Sequence, residues 1–156
     1  MESNENQRSS KSLVIKLACE NLAKNGFSNP APNKPQGTFP DVYVTTTDPG
    51  NGIDYFIGIT GRVETKADGT LNPAYNVVRT EDDRRKARTL ASQMNRTLAF
   101  VTIALRETDG SYAAYFGELE PIGFPREIPM LPTDRKKYRQ LAPYTMDVRV
   151  KGLLAS

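Results

Sequence analysis

No histidine occurs among the 156 residues. Its absence excludes Ser-His and Cys-His nucleophilic pairs, histidine-bound zinc and any imidazole general base. Cys19 is the single cysteine, so neither an intramolecular disulfide nor a cysteine zinc cluster can form. Its position within an apolar helical pattern predicts a buried, inert thiol. Long hydrophobic runs are missing too. Nothing reaches the roughly 18 apolar residues of a membrane span, and the polar stretch from Met1 to Ser10 lacks the apolar core of a signal peptide. No membrane association and a cytoplasmic location are therefore expected. Any hydrolytic chemistry is left to carboxylates, lysine and a metal held by oxygen.

What is present is a chain of one-domain length with 38% hydrophobic and 25% charged residues, enough to bury a core. Its 21 Lys plus Arg against 18 Asp plus Glu give a net charge of +3. With a pI near 9.0 this permits polyanion binding without requiring it. Residues 1–10 are expected to be a disordered tail and residues 11–156 a single domain.

Leu13, Val14, Leu17, Ala18 and Leu22 recur at helical spacing, which predicts an amphipathic helix ending near Asn25-Gly26 and closed by Phe27. Pro30, Pro32, Pro35 and Gly37 mark residues 28–39 as a loop. Residues 42–47 are β-formers, and Asp48 to Gly52 is a turn signal before a second β-rich run from Ile53 to Lys66. Gly58 and Gly61 interrupt that run, which predicts either a bulge or a bend. Thr80 and the acidic Glu81, Asp82 and Asp83 announce a helix whose apolar face is Ala87, Leu90, Ala91 and Met94 and which Asn95 ends. Residues 97–105 read as a central strand covered on both faces, turned by Asp109-Gly110 into a partner at 112–118. A short basic helix at 133–141 and an edge strand at 146–150 are expected beyond it. The order gives a mixed α/β sandwich around one sheet.

Metal-assisted hydrolysis of a phosphodiester needs two acidic side chains on a hard cation and a further cation beside the attacking water. A Glu-x-Lys pair on a strand supplies the second acid and the cation, because residues i and i+2 share a face. Glu64-Thr65-Lys66 has that spacing, and Arg62 alternates onto the same face.

With Pro40-Asp41 separated by 22 residues from Glu64, the chain resembles the PD-(D/E)xK nuclease superfamily, which includes restriction endonucleases, Holliday-junction resolvases and phage exonucleases. A helix precedes the motif, and a helix and a strand follow it, as in that family's core. The resemblance covers approximately residues 11 to 105. It implies a restriction endonuclease-like sandwich, a central mixed β-sheet flanked by helices. It also implies a catalytic set of Asp41, Glu64 and Lys66, with Asp41, Glu64 and the Thr65 carbonyl as ligands of Mg2+, for which Mn2+ can substitute. Asp54, ten positions before Glu64, is the rival first acid, and Glu20 is the candidate for the acid that many members carry on the first helix.

Arg62, Arg84, Arg85 and Arg88, with Lys86 and Arg96 nearby, are the candidate phosphate contacts; a solvated helix face balanced by Glu81, Asp82 and Asp83 explains the α-helical ones equally well. The basic residues from Arg135 to Arg139 carry the same two readings. Tyr112, Tyr115 and Phe116 are expected to pack in the sheet. The resulting expectation is a magnesium-dependent DNA endonuclease, working as a homodimer because a two-fold pair of sites suits cutting both strands of a duplex. The alternative is a non-catalytic α/β module of the same fold, structural or DNA-binding.

Overall fold

The computed structural model describes residues 2–33, 43–70, 81–118 and 138–155. In chain order these form α1 (Glu2–Lys24), β1 (Ser28–Asn33), β2 (Tyr43–Asp48), β3 (Ile53–Thr65), α2 (Glu81–Gln93), β4 (Thr97–Arg106), β5 (Ser111–Glu118), β6 (Arg139–Met146) and α3 (Val148–Ala155). The six strands make one sheet in the order of the chain. Neighbours are antiparallel except β3 and β4, which run parallel. α2 lies in the crossover between them, as a parallel connection requires. The mixed sheet flanked by helices agrees with the sandwich expected from the sequence.

Alternation along the strands sorts the core into two layers. Tyr55, Ile57, Val101 and Ile103 face Val14, Leu17, Ala18 and Leu22 of α1. Phe56, Leu98, Phe100 and Ala104 face Ala87 and Ala91 of α2. β4 is buried on both faces, which is why its sequence reads as a continuous apolar run. Tyr112, Tyr115 and Phe116 are buried in the sheet as expected, whereas Met94 is exposed. Among the described residues no helix is long and apolar enough to cross a membrane.

Both main helices end as their sequences predict. Gly26 takes φ 92°, and the Phe27 N–H reaches back to the Leu22 carbonyl at 3.0 Å. Asn95 takes φ 55°, with the Arg96 N–H on the Ala91 carbonyl at 2.9 Å. A left-handed residue after the last turn, followed by this long backward bond, satisfies carbonyls the helix leaves open.

Five expectations need correction. Residues 2–10, read as a disordered tail, continue α1; no glycine or proline interrupts the sequence up to Lys24, so nothing local stops propagation. Residues 28–33, read as loop, are β1. Among the described residues it is the outermost strand of the sheet, where the missing N–H groups of Pro30 and Pro32 can be tolerated. Residues 139–141, assigned to a basic helix, open β6, and the edge strand expected at 146–150 is replaced by α3 from Val148. The rest of that basic stretch, 133–137, lies outside the described residues. Finally, Gly58 and Gly61 pair in register with Phe100 and Ile103, so β3 passes both glycines without the bulge or bend expected there.

Gly61 has another purpose. A Cβ built on it would stand 2.4 Å from Val14 Cγ2 and 2.8 Å from Val14 Cγ1, so its bare backbone is what lets α1 lie against β3. Buried Asn21 fixes the same helix, donating to the Leu17 carbonyl at 2.7 Å and to the Tyr112 hydroxyl at 2.9 Å. On the outer side, Arg149 of α3 grips both carboxylate oxygens of Glu20 at 2.7 and 2.8 Å and reaches Asp147 at 2.9 Å. The hydrogen bonds from Arg149 hold the Glu20 and Asp147 carboxyls below their ordinary range.

Gly61→Ala should destabilise the fold by about 1–3 kcal/mol, the usual cost of overpacking. Adding Val14→Ala should recover part of that loss, as read by denaturant unfolding of both single variants and the pair. The Glu20 contact predicts a pH effect. Its folded pKa is depressed, so its stabilisation is present above the unfolded value, near 4.5, and is lost as pH falls through the folded one. Arg149→Leu should therefore flatten the decline in stability on acidification below that value. The effect should stay under about 1 kcal/mol, because both partners are 41% exposed and solvent screens them.

Candidate active site

The irregularity in β3 falls at its carboxyl end. Val63 pairs with Leu105 and Thr65 with Arg106, so Glu64 is an extra residue opposite the β4 ladder. A bulge of this kind re-aims a side chain and interrupts simple alternation. Glu64 is turned into the protein, only 4% exposed. The Tyr144 hydroxyl of β6 donates a hydrogen bond to its Oε1. The Arg106 guanidinium lies over the Tyr144 ring, 4.3 Å from its centroid, and is held by Asp109 at 2.6 Å. Hydrogen bonds to Asp109 from Ser111, and then from Arg106, keep that carboxyl below its ordinary range. Asp109 thereby sets Arg106, Arg106 caps the Tyr144 ring, and Tyr144 meets Glu64.

Lys66 stands just beyond β3, in a tight turn. Its N–H donates to the Thr70 carbonyl and its carbonyl accepts from the Gly69 N–H, both at 2.9 Å. Its side chain is exposed while that of Glu64 is buried, so the two do not share the strand face expected of them: the chain bulges at Glu64 and leaves β3 before Lys66. The Thr65 carbonyl accepts the Glu107 N–H at 2.8 Å, a bond that ties the end of β3 to the turn after β4.

Asp41 lies outside the described residues. The first described residue of β2, Tyr43, pairs with Gly58. Asp54 is a different matter, because it sits at the opposite end of the same uninterrupted strand from Glu64. Ten residues of strand span about 33 Å, and its Oδ1 accepts the Thr47 hydroxyl at 2.5 Å. Asp54 cannot share an ion with Glu64. Glu20 is engaged at both oxygens by Arg149, so the structure assigns it an interhelical ion pair.

The basic candidates also separate. Arg62, opposite Ala104 on β3, is exposed. Arg84, Arg85 and Arg88 all lie on α2. Arg85 is paired with Asp82 on the same helix, as is Lys86 at 3.2 Å, and Arg88 is exposed. Arg96 turns inward to donate to the Thr46 and Tyr55 carbonyls at 3.2 and 3.3 Å. It clamps the backbone of two neighbouring strands.

Magnesium favours oxygen donors, and the Glu64 carboxylate is chemically such a donor. Among the described residues no three acidic or cysteine side chains gather as a cation cage. Sequence reasoning missed Tyr144 and Arg106. Tyr144 is 80 residues from Glu64, in a stretch whose strand was not anticipated, so no local spacing could have joined the two.

No protein-family model matches the chain, and no curated protein matches it. Among solved structures it is similar to the 1.6 Å structure of Archaeoglobus fulgidus Hjc, a Holliday junction resolvase from an archaeal hyperthermophile. The two are 17% identical with a TM-score of 0.48, over 87% of this chain and 96% of that one.

Proposed function

We propose that the protein is a metal-dependent DNA endonuclease of the PD-(D/E)xK type, with its site at the carboxyl ends of the parallel strands β3 and β4. The observation that carries the reading is Glu64, a carboxylate buried at a bulge with a lysine two residues on. A buried glutamate is costly unless partners compensate it, and bulges gather beside active sites. The mixed sheet, with one helix before the motif and a helix and strand after it, supports the same family.

In this reading Asp41 and Glu64 hold Mg2+, or Mn2+ in its place, with the Thr65 carbonyl as a further donor. When bound, the ion would polarise the phosphoryl oxygen and ease deprotonation of the attacking water. Lys66 orients that water and stabilises the negative charge that develops on the phosphate. Arg62 and the α2 residues Arg84, Arg85 and Arg88 neutralise neighbouring phosphates, and a homodimer presents two sites to a duplex.

A second reading has its own support. The Thr65 carbonyl, Arg85 and Lys86 already have protein partners, as in a non-catalytic α/β module of this fold. Manganese titration separates the two, since the module would bind no ion at millimolar concentration.

Lys66→Ala should abolish nicking of plasmid DNA while leaving manganese affinity largely intact, because the ammonium acts on water and phosphate. Glu64→Ala should remove both. A Lys66→Ala protein that cuts as fast as wild type would overturn the assignment. For the phosphate contacts, binding to DNA releases counterions with a slope of about 0.9 per phosphate neutralised. The double variant Arg62→Ala, Arg88→Ala should flatten the salt dependence by up to about two such contacts and weaken all sequences alike. An unchanged slope would return these side chains to the solvated surface.

A further inference from the structure

We infer that Tyr144 is a positioning residue for Glu64, so that the far strand β6 completes a site whose motif lies wholly on β3. What Glu64 is positioned to do rests on the metal-site reading; that Tyr144 positions it does not. Bulging at Glu64 releases its side chain from the direction the ladder would impose, and something else must then fix the carboxylate. One contact that does so is the Tyr144 hydroxyl on Oε1.

Tyr144 is well placed for this. Its ring packs against the core layer under α2, and its other side carries the Arg106 guanidinium at 4.3 Å. That cation is immobilised by Asp109, itself fixed by the Ser111 N–H at 3.1 Å and the Ser111 hydroxyl at 2.5 Å. A positive charge over the ring is attracted by its electron-rich face and draws electron density from the phenol, which makes the hydroxyl a stronger donor. A hydroxyl on one carboxylate oxygen narrows the orientations that the carboxylate can take. That is the service a partner beyond the ligands gives a metal ligand, and losing such a partner typically weakens metal binding about 10- to 100-fold.

Tyr144→Phe tests this, because it keeps the ring, its packing and its contact with Arg106 and removes only the hydroxyl. Metal-free crystal structures of wild type and Tyr144→Phe should show the Glu64 carboxylate leaving its wild-type orientation in the variant. An unchanged carboxylate would overturn the inference, whatever the protein's activity. In parallel, manganese affinity measured by electron paramagnetic resonance should fall at least tenfold in Tyr144→Phe, with the unfolding midpoint reported beside it. Equal affinity in both proteins beside a displaced carboxylate would overturn the metal-site reading of Glu64, while an undisplaced carboxylate overturns the inference itself. If wild type binds no manganese, the nuclease reading fails, and the structural comparison still decides the role of Tyr144. Should Tyr144→Phe fail to fold, wild-type NMR decides instead. A slowly exchanging Tyr144 hydroxyl proton that shifts in Glu64→Gln supports the contact, and its absence refutes it.

Discussion

The parallel ladder between β3 and β4 is the constraint around which the rest is arranged. It runs in register from Tyr55 opposite Thr97 to Val63 opposite Leu105, and a parallel pair cannot be joined by a tight turn. The chain must therefore cross over one face through α2, while α1 covers the other, and β4 is sealed on both sides. The ladder also places the ends of both strands together. Where its register slips, at Glu64, a carboxylate is buried near Arg106 and the turn that follows β4.

Much of this was legible because it is local. The apolar spacing of α1 and α2, the continuous hydrophobic run of β4, and the Asp-Gly turn before β5 each state their structure within a few residues. The turn is realised as expected: Gly110 takes φ 68° and Asp109 accepts the Ser111 N–H. β1 and β6 were not legible for the opposite reason. Proline argues against a strand when read locally, and only a position at the rim of a sheet makes it acceptable. The same ambiguity hid β6, where the register with β5 shifts on the stretch around Pro143.

Glu64 and Lys66 could be singled out from their spacing, but their surroundings could not. Alternation suggests two side chains side by side on a strand, whereas the chain bulges at the first and turns immediately after the second. Asp54 stood as a rival to Asp41 when only its distance in sequence was counted. Once β3 is seen as a single strand, that separation becomes a length, and the length is too great. Tyr144 shows the converse: a residue remote in sequence becomes a neighbour because β5 and β6 bring the chain back across the sheet.

The prolines at the two outer strands constrain how copies of the molecule can meet. An outer strand normally offers a row of open N–H and C=O groups to which another chain can add. Here Pro30 and Pro32 on one side and Pro143 on the other remove donors from those rows, and the slipped pairing of β6 twists its rim further. Growth of the sheet from molecule to molecule is thereby discouraged at both ends. Any assembly of this chain that extended the sheet through either of these strands would have to do so across rows already short of donors.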